Sequence, residues 1–299
     1  MDKLIDEFIE YLDLERNYSY YTCINYQDDL VKFYNFLKEN NINNIKNVSY
    51  QTIRDYLNYL YIKKEATKSV TRNISSLRSF FHYLQGEGVI TNNPMTLVSN
   101  PKQEKTLPHY LTYDEIEELL RVTSGDDIFD IRDNMIIELL YSTGLRVGEL
   151  VNIKLNDIDY KERSIKVLGK GSKERIVYFG TPALNKLKRY LDIRPDIVKD
   201  PSNPFLLINK RGNKLQERAV RSIFENIIKK NHLKISFSPH TLRHTFATHM
   251  LNEGMNIKSV QELLGHSSIS TTGIYTHVSN EHLRSVYLAA HPRSRKDTK

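Results

Sequence analysis

SPHTLRHTFATHML, residues 238–251, begins with Ser238-Pro239, a helix N-cap followed by a proline suited to the first helical position. That start places His240 and Arg243 in the first helical turn, where free N–H groups and the positive dipole end favour an anion. Similar settings recur along the chain. Arg146 follows the helix stop Thr143-Gly144, and Lys170 sits in the glycine-rich basic tip GKGSK between two β-rich runs, Ser164 to Val167 and Arg175 to Phe179. His266 follows Leu264-Gly265, and Tyr275 comes nine residues later. Two arginines, a lysine, two histidines and a tyrosine thus stand at turns and helix starts.

The rest of the chain supplies a frame for them. With 299 residues and 39% apolar content it is long enough for two domains and a sizeable core. Apolar residues recur at helical spacing four times early on: Leu4/Ile5/Phe8/Ile9/Leu12, Ile24/Leu30/Val31/Tyr34/Leu37, Ile53/Leu57/Leu60 and Val70/Ile74/Leu77/Phe81/Leu84. This predicts a four-helix domain over residues 1–97, with Ser19 and Ser49 as N-caps and Thr67 or Ser69 opening the fourth helix. Residues 98–108 hold two prolines and no apolar period, and read as a linker. Residues 109–299 form the second domain. There Thr112-x-x-Glu115 is a capping box, Ile131/Met135/Ile136/Leu139/Leu140 a buried helix, and Thr181-Pro182 another N-cap with proline. Short strands are expected around Ile158 and over Phe205 to Ile208, besides the hairpin around GKGSK. The fold class is therefore mainly α with a small antiparallel β-sheet.

Charge points to a polyanion. The net charge is +7, and residues 1–105 hold 13 basic against 13 acidic side chains, so the excess lies in the second part. The first part is still polarised, with six acids and one lysine in the first fifteen residues. Lys63, Lys64, Lys68, Arg72 and Arg78 crowd Tyr61 to His82 against Glu65 alone. These five are candidate DNA contacts, as are Lys173 and Arg175. No apolar stretch reaches the roughly 18 residues of a membrane span, and the acidic amphipathic start does not read as a signal peptide. A cytoplasmic protein is expected. The single cysteine, Cys23, makes no internal disulfide and fits a reducing compartment.

Other chemistries fit poorly. His240 and His244 have zinc spacing, but Thr241 replaces the glutamate of an H-E-x-x-H site and no third ligand is evident, so no metal is expected. GKGSKER lacks the upstream glycine of a phosphate loop, so no nucleotide cofactor is expected either. Metal-free phosphodiester cleavage, in contrast, needs fixed donors for the non-bridging oxygens, a base or cationic setting for a hydroxyl nucleophile, and an acid for the leaving oxygen. The six residues satisfy that list.

The segments TGLRVGEL (143–150), LGKGSKER (168–175), SPHTLRHTFATHML (238–251), LLGHSSISTTGIYTH (263–277) and VYLAAHPR (286–293) together resemble the tyrosine recombinase (phage integrase) family, Xer branch. Their order and spacing match, and the ending is closer to the XerC members than to XerD. The resemblance implies a two-domain DNA clamp, with an N-terminal core-binding, SAM-like domain and a catalytic domain whose segment Glu281 to Ala290 docks on a neighbouring subunit. It implies that Tyr275 attacks the scissile phosphate and forms a 3′-phosphotyrosine. Arg146, Arg243 and His266 would hold the phosphate, Lys170 would protonate the leaving oxygen, and His240 would act as acid/base. No cofactor is implied. The partners would be duplex DNA, a paralogous XerD-like recombinase in a heterotetramer and a DNA translocase as activator, and the role would be resolution of chromosome and plasmid dimers at cell division. A phage- or plasmid-type integrase, a DNA-nicking topoisomerase and a non-catalytic DNA-binding relative are the alternatives. Gly273 stands where relatives often carry glutamine and is expected to loosen the tyrosine segment; Gly148 stands in place of a common serine without evident reason.

Overall fold

The apolar repeats of the N-terminal part become four helices: α1 (Asp2–Leu14), α2 (Tyr20–Glu39), α3 (Tyr50–Ile62) and α4 (Thr67–Gly86). A computed structural model describes residues 2–16, 18–101, 109–169, 174–233, 237–265 and 280–294. It divides the chain into two units, Met1–Thr106 and Leu107–Lys299. Ser19 caps α2 by accepting from the Thr22 N–H, and Ser49 forms a capping box with Thr52 at the start of α3. Thr67 is the first residue of α4; its N-cap, Ala66, makes no side-chain bond. Phe8, Leu12, Leu37, Ile53, Leu77, Phe81 and Leu84 are buried together, each contributing about 1.5–3 kcal/mol through removal from water.

A polar hub lies within this unit. Asp29, only 1% exposed, accepts from Arg72 (2.8 Å), Asn73 (2.8 Å) and Ser76 (3.2 Å), all on α4, while the Tyr56 hydroxyl donates to Asn73 at 2.8 Å. The three helices α2, α3 and α4 are thereby held in one register.

The second unit starts with α5 (Tyr113–Val122), opened by the Thr112/Glu115 capping box. Next comes α6 (Ile128–Thr143), buried on nearly every side and ended by Gly144 in the left-handed region (φ +62°). The short α7 (Val147–Val151) precedes a three-stranded antiparallel sheet, β1 (Ile158–Asp159), β2 (Ser164–Leu168) and β3 (Glu174–Tyr178), in that spatial order. Ile165 pairs with Val177 and both are buried, which fixes the register by the apolar face. The helices α8 (Thr181–Ile197), α9 (Glu217–Lys230), α10 (Pro239–Asn252), α11 (Ile257–Leu264) and α12 (Asn280–Ala290) complete the unit.

Two sequence expectations change here. Phe205 to Ile208 forms no strand, only isolated bridges from Phe205 to Lys154 and from Ile208 to Lys214. Side chains supply part of what a ladder would: Arg194 donates to the carbonyls of Asn203, Phe205 and Leu206, and Tyr190 also donates to Leu206. The N-cap of α8 is Gly180, not Thr181. A Cβ on residue 180 would lie 2.4 Å from the Arg293 carbonyl oxygen, so glycine lets the C-terminal segment pass.

That segment is anchored in its own unit. Tyr287 is buried and donates to the Ser142 carbonyl at 3.0 Å, and the Arg293 guanidinium binds Glu138 at 3.0 and 2.8 Å. Lys186 completes the pairing with Glu138 at 2.9 Å. The segment Glu281 to Ala290 packs in this structure against the unit that carries it, through Tyr287. The buried anchors lie at its end and just past it, where sequence periodicity gives no warning.

His291 is fully enclosed among Tyr141, Tyr287 and Phe246; its Nδ1 accepts from the Arg293 N–H at 3.1 Å, and its Nε2 lies 3.3 Å from the Tyr141 carbonyl. Burial pushes its pKa down from 6.5 to about 3. Below the unfolded pKa of 6.5 the unfolded chain binds a proton that the folded chain refuses. The contribution is therefore fully present above pH 6.5 and declines toward pH 3, by at most about 1.4 kcal/mol per pH unit. Urea midpoints measured from pH 7 to pH 4 should fall more gently in His291→Gln than in the parent chain. Parallel curves would refute this account.

Candidate active site

Three of the proposed reactive positions lie among the described residues: Arg146, His240 and Arg243. Arg146 is the N-cap of α7. His240 and Arg243 are three residues apart on α10, whose start is fixed by Ser238 accepting from the Thr241 N–H. His240 is exposed, whereas Arg243 is half-buried. Lys170, His266 and Tyr275 lie outside the described residues, as do Lys173 and Gly273.

The two arginines meet at the C-terminal end of α11. Arg243 donates to the carbonyls of Gly144 (2.5 Å) and Leu264 (2.7 Å). Arg146 donates to the carbonyl of Gly265 at 3.3 Å, and its other arm reaches the Glu149 carboxylate at 3.0 Å. A third arginine, Arg175 on β3, donates through Nε to the Leu263 carbonyl at 3.0 Å. Three consecutive carbonyls, at 263, 264 and 265, therefore each accept from a different arginine. The last carbonyls of a helix carry its negative dipole end and lack partners within the helix, so cations are favoured there.

Glu149 provides the counter-charge. Its side chain is 5% exposed, and both oxygens are used: Arg175 donates in a fork at 2.7 and 2.9 Å, and the Arg146 backbone N–H donates at 2.8 Å. Burial alone would raise the carboxyl, but the hydrogen bonds from Arg175 and from Arg146 outweigh it and hold it below the usual carboxylate range. Burial, with the Arg146 charge adding to it, pushes Arg243 down to about 10, so it stays protonated at neutral pH.

The seven DNA-contact candidates divide. Lys63, Lys64 and Lys68 are exposed. Arg72 is bonded to Asn25 and Asp29, and Arg78 to the Val98 carbonyl at 2.8 Å. Arg175 departs furthest from expectation: its side chain is 13% exposed, and its guanidinium is turned to Glu149 and Leu263 instead of outward. Glu149 was missed from the sequence, although its place three residues after Arg146 matches the N-cap-to-N3 spacing that brings a side chain back onto the N-cap N–H. Gly148 faces α9; a Cβ there would lie 2.9 Å from the Glu217 carboxylate, which a flexible side chain can yield. His240 and His244 share α10, with His244 half-buried and its ring 6.4 Å from that of Tyr110. Among the described residues, no group of three or more His, Cys, Asp or Glu is placed to hold a metal.

Comparison with known proteins gives this arrangement its context. Residues 109–282 match the model of the phage integrase family, and residues 5–88 match the phage integrase N-terminal SAM-like domain. Tyrosine recombinase XerC of Anoxybacillus flavithermus is 45% identical over 96% of this chain and 97% of its own. The Staphylococcus carnosus XerC is 44% identical over 99% of this chain and 100% of its own. Among solved structures, XerH recombinase bound to palindromic difH substrate matches with a TM-score of 0.72 at 24% identity, covering 96% of this chain and 84% of that one. The chain belongs to the phage integrase family, as a XerC-like tyrosine recombinase.

Gly144 is the local joint of the site: it ends α6 in the left-handed region, and its carbonyl holds Arg243. A Cβ there would lie 2.5 Å from a Phe246 ring atom. Gly144→Ala should cost about 2 kcal/mol or more, from left-handed strain and overpacking together. Denaturant unfolding measures it, and a variant within about 0.5 kcal/mol of the parent, the ordinary range for surface changes, would refute the constraint.

Proposed function

We propose that this chain cuts and rejoins duplex DNA at a specific site through a covalent tyrosine–phosphate link. The carrying observation is the pair Arg146 and Arg243, fixed by backbone carbonyls at 2.5–3.3 Å beside one another and counterbalanced by a single carboxylate. A scissile phosphate carries its charge on two non-bridging oxygens, and planar guanidiniums held in advance meet that charge without reorganising. Tyr275 is the nucleophile, leaving a 3′-phosphotyrosine and a 5′ hydroxyl. Lys170 gives the leaving oxygen its proton, His240 serves the tyrosine as acid/base, and His266 helps hold the phosphate. The link conserves the energy of the broken bond, so rejoining needs no nucleotide.

The DNA is gripped by contributions from both units, the exposed Lys63, Lys64 and Lys68 among them. XerC relatives and DNA-bound recombinases of the same fold support this reading. We further propose a heterotetramer with a XerD-like paralogue, activation by a DNA translocase, and resolution of chromosome dimers in the cytoplasm before division. Among the described residues no helix is long and apolar enough to cross a membrane.

A nicked duplex carrying the recombination site traps covalent protein by letting the short 5′-hydroxyl strand diffuse away. Adduct on the 3′ end should form with the parent chain and vanish in Tyr275→Phe; adduct that survives this change sinks the assignment. Arg146→Ala and Arg243→Ala should each slow trapping by about 10²–10³-fold, the scale for losing a preorganised oxyanion donor. DNA affinity should also fall linearly on a log–log plot against salt, with a slope near −0.9 per phosphate neutralised.

A further inference from the structure

Arg175 has no place in the reaction as set out above, yet it is the most heavily bonded guanidinium of the site. It donates to both oxygens of Glu149 and to the Leu263 carbonyl, and it is almost withdrawn from solvent. Glu149 is also the side-chain partner of Arg146. Without Arg175 the buried carboxylate would have Arg146 as its only guanidinium among the described residues, and a phosphate would compete with Glu149 for the same cation. With Arg175 present, three guanidiniums face one carboxylate among the described residues, an excess of two positive charges there for an anion.

We propose that Arg175 is a positioning residue of the recombinase reaction: it neutralises Glu149 and braces the end of α11, so that Arg146 and Arg243 present their full charge to the scissile phosphate. This rests on the recombinase reading above. Packing supports it from a second side. Gly265, in the left-handed region at φ +64°, lies against the Arg175 guanidinium; a Cβ at 265 would come within 3.0–3.1 Å of its Nη1, Cζ and Cδ atoms. The turn that carries two of the arginine-binding carbonyls, Leu264 and Gly265, is thus shaped around Arg175. Lysine in its place keeps a charge but loses the fork that meets both carboxylate oxygens.

The test compares the parent chain, Arg175→Gln and Arg175→Lys on nicked suicide duplexes, one with an ordinary scissile phosphate and one with a neutral methylphosphonate there. DNA affinity is measured alongside by equilibrium titration. Arg175→Gln should bind DNA within about threefold of the parent but form adduct about 10²-fold more slowly, as expected for reacting groups displaced by roughly an ångström. Arg175→Lys should fall between the two. On the methylphosphonate the gap between parent and variant should shrink to a few-fold, because a non-bridging oxygen charge that needed the clamp is gone. A merely structural role predicts the same gap on both substrates, and that result overturns the proposal, as does cleavage by Arg175→Gln at the parent rate. Should Arg175→Gln not fold, Arg175→Lys is read against the same two outcomes. Failure of the parent chain to form any adduct would strike the recombinase reading itself, which separates the two.

Discussion

The catalytic unit is organised around the C-terminal carbonyls of α11. Those of Leu263, Leu264 and Gly265 would be unsatisfied at a helix end, and each takes a hydrogen bond from an arginine that comes from a different element: β3, α10 and the start of α7. Three guanidiniums at close quarters repel, and burial makes the repulsion costlier. The helix end offsets part of this through its dipole, and Glu149 offsets more through a full charge. A cluster of like charges unfavourable in isolation is thereby held in a fixed arrangement.

A second buried carboxylate, Glu138 on α6, does comparable work for the fold. Lys186 and Arg293 both bind it, and burial alone would raise its carboxyl but is outweighed by these two cations. Since Arg293 lies beyond α12, the ion network fixes the C-terminal segment to the helix at the centre of the unit. Tyr287 and His291 add aromatic packing to the same anchor. The α12 helix enters on one side of this anchor, and the cost of detaching it includes uncovering a buried carboxylate.

Much of this was legible in the sequence, and the failures are specific. Helix starts were readable because Ser19, Ser49, Thr112 and Ser238 act through local bonds over three residues. The stop at Gly144 was readable because positive φ selects glycine. The pairing of β2 with β3 followed from the β-rich runs on either side of GKGSK, and places Ile165 and Val177 inside. Phe205 to Ile208 misled because its β-like composition serves burial while distant side chains, Arg194 above all, satisfy several of its carbonyls. Arg175 misled because a basic residue beside a basic loop looks solvent-facing, and its partner Glu149 is 26 positions away. Ion pairs between elements leave no periodic trace, so the inventory of cations was visible but their pairing with Glu149 and the carbonyls of 263–265 was not.

That pairing also explains why the site is built from arginine. A guanidinium has five N–H donors in a rigid plane, so it can spend two on the protein and still offer others to a ligand in a known direction. Arg243 uses one arm on Gly144 and the other on Leu264; Arg146 uses one on Glu149 and the other on Gly265. A lysine bound at one carbonyl would keep a mobile stem and no fixed orientation. Both arginines are therefore oriented before any ligand arrives, and the cost of ordering them is met in folding. Glu149 is shared between Arg146 and Arg175, and Arg175 stands on β3, so the sheet bears on the charge around the two arginines as well as on their setting.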